Sequence, residues 1–355
     1  SVDGLIVFKS VLIGFFKLII SSDIIFAFFS SINDQVTTSE YPLRAIIFEY
    51  YLNFIPYFGN LFSPLFTFIA VIFFTSKMAN NTEIISILSS GVSFQRMLLP
   101  FIISAIIIGS LSFALGNFII PSANEARLEF ENTYFKNPYR NRDKNIHMQI
   151  SPGNFVYMES YNSTKNIGYK FSMEQFIQGE LKQKLFSNYV EWDSTISKWN
   201  IHHYFIRTFD GMQETVVEGR QLDTLINLHP NDFNVRLNTV ETMNFFELNN
   251  YITEERMKGS KNLVFHLIEK HKRIAFPFAT IILTLIAVAF ASRKIQGGIG
   301  LHLGVGLLIS FSYILFMQVS TTFATNGDLS PGLAVWIPNL MYLGLACYLL
   351  RKAPK

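Results

Sequence analysis

The chain has 355 residues, of which half are apolar and only 15% are charged. A soluble domain carries about 25% charged residues, so the composition predicts an integral membrane protein, long enough to hold a second folded domain as well. The formal net charge of +3 is too small to indicate nucleic-acid binding, and a single cysteine, Cys347, excludes an intrachain disulfide. We expect Cys347 to be a small, buried apolar residue.

Six apolar stretches are long enough to cross a membrane, because a helix rises about 1.5 Å per residue and the hydrocarbon core is about 30 Å thick. The predicted spans are residues 12–33, 54–76, 98–120, 274–291, 299–321 and 331–350. They form two groups of three, in 1–120 and in 271–355. Between them lies a polar block, 121–270, which we predict to be a folded domain on one side of the membrane.

The first two spans contain residues that interrupt a regular apolar helix. Lys9, Lys17 and Asp23 weaken the first span. Lys17 is either a lysine whose amine reaches back to the membrane surface or a ligand contact. In the second span, Pro56 and Pro64 remove backbone donors and predict a bend.

The loop between spans two and three contains the sequence MANNTEIISILSSGVSFQR. Asn80 and Glu83 form a capping-box pattern, and Gly91 is a plausible helix stop. A helix of about ten residues over 81–90 would carry an apolar face made of Ile84, Ile85, Ile87 and Leu88. Such a helix either docks into a groove of a soluble partner or rests on its own membrane domain.

Basic residues in short loops predict the orientation of the chain. The loops 77–97 and 292–298 and the C-terminal tail are basic, whereas the loops 34–53 and 322–330 are acidic. Both termini should therefore lie in the cytoplasm. The polar block should lie on the opposite side, which is the periplasm in a double-membraned bacterium.

The polar block has the pattern of a β domain. We expect the third span to stop at Pro121, and the following segments rich in aromatic and β-branched residues are separated by turn-formers. The clearest strands are 154–160, 169–173, 184–192 and 198–207. Their spacing predicts a sandwich or jelly roll, after which 244–259 returns to the membrane as a helix or extended linker.

Motifs for chemistry are absent from the sequence. It contains no GxxxxGK[ST] phosphate loop, no HExxH and no paired CxxC, so we predict neither ATP hydrolysis by that route nor a metal site. Four basic residues precede span four on the outward side, namely Lys270, His271, Lys272 and Arg273. Either they follow a long translocated domain and are exempt from the orientation rule, or they bind anionic lipid head groups or phosphates.

Two segments, 50–96 and 300–354, resemble the YjgP/YjgQ (LptF/LptG) family of permeases, which export lipopolysaccharide. The most specific elements are TEIISILSSG at 82–91 and NGDLSPGLAVWIPN at 326–339. The order of three helices, an outward β domain and three helices also matches, so the resemblance covers nearly the whole chain. The compact length and the C-terminal element are more similar to LptG than to LptF.

The resemblance implies a non-catalytic subunit of an ABC transporter that extracts lipopolysaccharide from the inner membrane. Its implied partners are a second permease (LptF), an LptB-type ATPase dimer that binds the ATP, and a periplasmic bridge that includes LptC. No cofactor is expected on this chain. Spans 12–33 and 299–321 would face the lipid cavity.

Site residues follow from the same resemblance. The helix over 81–90 would contact the ATPase through Glu83, Ile84, Ile87 and Leu88. A lipid with phosphorylated sugars and several acyl chains needs basic groups and an apolar wall, for which the candidates are Lys17, Lys270, Lys272, Arg273, Phe311, Phe316 and Met317. Leu88 stands where the family often carries arginine, and 27–35 lacks the charged segment usual at the end of the first span.

Two other classes of function are open to such a chain, besides the LptF-type partner of the same system. A membrane-anchored periplasmic sensor would normally carry a cytoplasmic signalling domain, whereas only short loops are predicted on that side. A proton- or sodium-coupled transporter would carry several buried carboxylates, and spans two to six have essentially none.

Overall fold

The computed structural model describes residues 46–135, 143–233, 236–294 and 298–353. These residues form two compact units. The helical unit contains the described residues up to Phe130, together with Glu241–Phe245 and Leu267–Lys355. The sheet unit contains Glu131–Val240 and Phe246–His266. The predicted first span, 12–33, lies outside the described residues.

The described α-helices are α1 (Leu52–Leu61), α2 (Ser63–Asn80), α3 (Glu83–Ser89), α4 (Phe94–Ala114), α5 (Ile120–Phe130), α6 (Phe245–Lys258), α7 (Leu263–Ala291), α8 (Gly298–Thr325) and α9 (Pro331–Arg351). Five helical stretches are long and apolar enough to cross a membrane: Ser63–Asn80, Phe94–Thr133, Leu263–Ala291, Gly298–Thr325 and Pro331–Arg351. They correspond to predicted spans two to six. Helix α7 begins well before residue 274, so the basic cluster 270–273 lies within it.

The second span is interrupted, as its prolines predict. A π-helical turn, Ile46–Tyr51, precedes α1, and Phe62 (φ −91°, ψ 2°) separates α1 from α2. Pro64 lies in the first turn of α2, where a missing N–H leaves no hydrogen bond unmade.

The prediction that the third span stops at Pro121 is wrong. A π-helical turn, Leu115–Ile119, follows α4, and the chain continues directly into α5 and a further π turn, Glu131–Phe135. Pro121 falls just after the first π turn, where the altered hydrogen-bond ladder accommodates a residue without an N–H donor. The helical path therefore runs to Phe135.

The sheet unit contains β1 (Lys144–Ser151), β2 (Asn154–Asn162), β3 (Ile167–Ile177), β4 (Glu180–Asp193), β5 (Lys198–Asp210) and β6 (Gln213–Thr224). All neighbouring strands are antiparallel. The predicted fold class, membrane helices with an inserted all-β domain, is confirmed. Among the described strands the order follows the chain, β1 to β6, which is a meander and not the Greek-key order of a two-sheet jelly roll.

One face of this sheet is covered by the chain that follows β6. Trp199 is fully buried, and its Nε1–H donates to the carbonyl of Leu228 at 2.7 Å. The ring of Tyr161 stacks on Phe233, with centroids 4.2 Å apart. The short 3₁₀ turn Pro230–Phe233 thus closes the apolar core of the sheet unit.

Buried polar contacts join the last two helices of the helical unit. Pro338 lies inside α9 and removes the N–H that would bond the carbonyl of Ala334, four residues earlier. The hydroxyl of Ser320 in α8 donates to that carbonyl instead. Nearby, the hydroxyl of Tyr313 donates to Oδ1 of Asn339 at 2.8 Å. The WIPN element is therefore part of a packed helix contact.

The expected burial of Cys347 is wrong. Its side chain is exposed on α9. A helix that crosses a membrane presents apolar residues outward as well as inward, so apolar character does not predict which face is buried.

Candidate functional site

Helix α3 is a short element that leaves α2 through a left-handed residue. Thr82 has φ +62°, and its carbonyl accepts the N–H of Ser86 at 3.0 Å. The helix ends before Gly91, whose φ of +89° suits glycine. The predicted stop at Gly91 is confirmed.

The predicted capping box does not form. Asn80 is the last residue of α2, so its side chain is not at the start of α3. Asn81 Nδ2 donates to Glu83 Oε1 at 2.9 Å instead. Since α2 runs to Asn80, α3 begins only at Glu83, and its seven residues are fewer than the predicted ten. The Glu83 carboxylate is held at the first turn, where the helix dipole favours a negative charge.

The side chains of α3 divide into an inward and an outward set. Ile84 is only 1% exposed and packs within the helical unit, whereas Ile85 is 58% exposed. Ile87 and Leu88 are half-buried, and Glu83 is exposed. The outward surface available to another molecule therefore centres on Glu83 and Ile85. Ile85 was not among the predicted contacts, because an isoleucine pair does not reveal which member turns inward.

Two of the predicted basic residues lie beside a cavity of about 140 Å³ within the helical unit. Lys272 and Arg273 line it, together with Tyr57, Asn60 and Asn124. Lys270 is half-buried on the same helix and does not line the cavity. The cluster thus supplies two of its basic residues to one site.

Arg273 is already engaged by groups of its own chain. Its Nε–H donates to Glu269 Oε1 at 3.0 Å, and its Nη1–H donates to the carbonyl of Met243 at 2.7 Å. Its side chain is largely buried. Arg273 therefore has fewer donors left for an external anion than an exposed arginine would have.

A second buried arginine belongs to this cavity region. Arg127 in α5 pairs with Glu241 at 2.9 Å, and its guanidinium lies 4.7 Å from the ring centre of Tyr57. Asn124 Nδ2 donates to the carbonyl of Glu241 at 3.1 Å. Arg127 is not among the predicted site residues, because a third span that ends at Pro121 would place it in the β domain.

These contacts hold the segment Glu241–Phe245 against the helical unit. The residues on both sides of this segment belong to the sheet unit. The chain therefore enters the helical unit for these five residues between two parts of the sheet unit, and Arg127, Asn124 and Arg273 bind it there. We call Glu241–Phe245 the strap.

Only two of the three side chains of the predicted apolar wall are exposed on the outside of the helical unit. In α8, Phe311 is 51% exposed and Phe316 is also exposed. Met317 is 5% exposed and packs inside the helix bundle, so its side chain is not on the outer face. Lys17 lies outside the described residues. Within the described residues no group of three or more His, Cys, Asp or Glu side chains is placed to hold a metal ion.

A comparison with protein families matches one model, described as lipopolysaccharide export system permease LptF/LptG, over residues 5–352 of this chain. A comparison with curated proteins gives no match.

Proposed function

Since the chain belongs to the LptF/LptG family of lipopolysaccharide export permeases, we propose that it is the LptG-type permease subunit of an ABC transporter. The family and the apolar helices make it a multi-pass inner-membrane protein and a transport component without catalytic activity of its own. In our proposal it draws lipopolysaccharide out of the inner membrane and passes it towards a periplasmic bridge that includes LptC. A second, LptF-type permease completes the lipid cavity.

The observation that carries this proposal is the geometry of α3. A seven-residue helix joins two membrane-spanning helices and exposes the carboxylate of Glu83 and the side chain of Ile85. An ATPase groove with a basic rim would suit this surface. Ile84, being buried, would fix α3 to the helical unit, and Ile87 and Leu88 would lie at the edge of the contact.

Co-purification from the native membrane tests the proposal. We expect an ATP-binding subunit of the LptB type to be recovered with the parent chain and lost with Glu83→Lys. Glu218→Lys changes the same charge at an exposed position of β6 and should keep the subunit. Recovery of no ATP-binding subunit with the parent chain would refute the proposal.

We also propose that α3 lies in the cytoplasm and the sheet unit in the periplasm. The basic loops around Lys77 and Arg293 support this orientation. In a Cys347→Ser background, Met212→Cys in the exposed β5–β6 turn should react with an impermeant maleimide in cells whose outer membrane is permeabilised. Ser89→Cys should react only after the inner membrane is broken, and the reverse pattern would overturn the orientation.

A further inference from the structure

Helix α8 carries a fully buried histidine. His302 is 0% exposed, and its Nδ1 lies 2.8 Å from the hydroxyl oxygen of Ser76 in α2. The ring of Phe290 stands edge-on to it, with centroids 5.2 Å apart. Within the described part of the chain, His302 Nε2 has no hydrogen-bond partner. An ionisable side chain inside a membrane helix is expensive to bury and usually has a role beyond packing.

One helical turn further on, the same two helices meet through a glycine. A Cβ at Gly306 would lie 2.2 Å from Ile72 Cδ1 and 3.6 Å from Phe68 Cε1. Both of these α2 side chains are fully buried. The missing side chain therefore gives Ile72 its place, as small residues do where membrane helices pack closely.

The two contacts are in register. His302 and Gly306 are four residues apart in α8, and Ser76 and Ile72 are four residues apart in α2, so each pair lies on one helix face. Because the numbering rises in one helix as it falls in the other, α2 and α8 are antiparallel. A Cβ at Gly298 would lie 3.9 Å from Asn80 Nδ2, which extends the contact to the end of α2. The matched stretch of α8 is about 12 Å long.

This contact lies directly beside α3. Ser76 is four residues from the end of α2, and only Asn81 and Thr82 separate α2 from α3. Buried Ile84 fixes the start of α3 to the helical unit. Any displacement of α3 therefore acts on the part of α2 that contacts α8.

We propose that the Ser76–His302 hydrogen bond and the Gly306–Ile72 contact join α2 to α8, so that a displacement of α3 moves α8 with it. The inference rests on the proposed function, in which an ATPase displaces α3. His302 acts through Ser76 and is a positioning residue. Apolar contacts alone allow two helices to slide and rotate, whereas a hydrogen bond between two defined atoms fixes both movements.

We call the Ser76–His302 and Gly306–Ile72 contacts the joint. Paired spin labels on the purified complex in nanodiscs test it. In a Cys347→Ser background, labels at Ser89→Cys and Leu308→Cys report the distance between α3 and α8, both positions being exposed. A second pair, Ser89→Cys with Leu340→Cys, reports the distance between α3 and α9. On adding a non-hydrolysable ATP analogue, we expect the α3–α8 distance to stay constant while the α3–α9 distance changes.

Substitutions in the joint should release α8. In Ser76→Ala and His302→Leu, the α3–α8 distance should change with nucleotide, or its distribution should broaden. His302→Asn keeps an amide near the position of Nδ1 and should behave like the parent. If the variants show the same constant distance as the parent, or if the parent distance already changes, the inference is overturned.

A transport readout separates this role from simple packing. The amount of lipopolysaccharide released per ATP hydrolysed should fall at least about threefold in His302→Leu, the size expected from one membrane hydrogen bond. Recovery of the ATP-binding subunit should be unchanged, whereas misfolding would lower both the release of lipopolysaccharide and the recovery of the subunit.

If no such subunit is recovered with the parent chain, the proposed function and this inference fail together. If the subunit is recovered and the α3–α9 distance responds, but the joint variants behave like the parent, only this inference fails.

Discussion

The hydroxyl of Ser320 in α8 donates to the main-chain carbonyl of Ala334 in α9, both of them buried. That carbonyl lacks its usual helical donor, because Pro338 stands where the N–H would be. A side chain of one membrane helix thus satisfies a backbone defect of its neighbour, which explains why a proline is tolerated in the middle of α9.

Ser320→Ala should leave the Ala334 carbonyl unpaired and lower the free energy of unfolding of the helical unit by about 1–3 kcal/mol. Pro338→Ala should restore the N–H donor, so the double variant should regain most of the stability lost in Ser320→Ala. Denaturant titration in mixed micelles would measure both. Equal losses in the single and double variants would show that the hydroxyl does not serve this carbonyl.

The strap should loosen when Arg127 is replaced. In Arg127→Met, the Glu241 carboxylate would remain largely buried without its arginine partner. We expect hydrogen exchange of the backbone amides in 241–245 to accelerate about tenfold or more, which corresponds to about 1.4 kcal/mol.

A matched control for the strap lies on the sheet. Arg207 donates to Glu214 through its Nε and Nη2 groups, but on an exposed surface. Arg207→Met should leave exchange at 241–245 unchanged and have no measurable effect on unfolding. Equal exchange at 241–245 in the parent and in Arg127→Met would mean that the strap is held by other contacts.

The sheet unit should lose stability at high pH through Lys258. Burial lowers the pKa of this ammonium, but the hydrogen bond and charge of Asp232, at 2.8 Å, together with Glu255, raise it to a net value above its usual 10.5. A raised folded-state pKa gives stability that is complete below 10.5 and is lost as pH rises through the folded-state pKa.

Lys258→Met removes that titration, so the midpoint of thermal unfolding of the sheet unit should depend less on pH above 10.5 in the variant than in the parent. The difference between the two profiles isolates Lys258 from the tyrosines that also titrate there. Lys258→Arg stays charged over this range, so, like Lys258→Met, it should lack the loss of stability above pH 10.5. Parallel profiles for parent and Lys258→Met would contradict the prediction.

Gly168→Ala should destabilise the sheet unit by about 1–3 kcal/mol, because an added Cβ would lie 2.5 Å from Met158 Sδ and 3.2 Å from Val190 Cγ2. Gly344→Ala in α9 meets open space and serves as the control. Thermal unfolding followed by circular dichroism measures both. A loss no larger for Gly168→Ala than for Gly344→Ala would mean that the Met158 side chain moves aside freely.

The described spans and the all-β insertion could be predicted, because long apolar runs and short aromatic strands each produce one dominant pattern. The path after Pro121 could not, since a π turn depends on local hydrogen bonding that composition does not show. As a result, neither Arg127 nor the strap was predicted to belong to the helical unit.

The sequence also did not predict which residues of the membrane helices are buried. Met317 is inside and Cys347 is outside, contrary to their assigned roles, because lipid and protein interior favour the same side chains. On α3, Ile84 is buried and the neighbouring Ile85 is exposed, a difference that two adjacent isoleucines do not reveal in the sequence. The sequence did not single out the residues that contact Ser76 and Ile72 either, since His302 belongs to no recognisable motif and Gly306 is one of four glycines in α8.

The positions of the tryptophans allow fluorescence to report on each unit separately. Of its three tryptophans, Trp192 and Trp199 lie 5.3 Å apart in the sheet unit, and Trp336 lies in α9 beside Phe278. A Trp336→Phe chain would therefore emit from the sheet unit alone, and a chain with Trp192→Phe and Trp199→Phe from the helical unit alone. Fluorescence could then follow the melting of each unit separately inside one intact polypeptide.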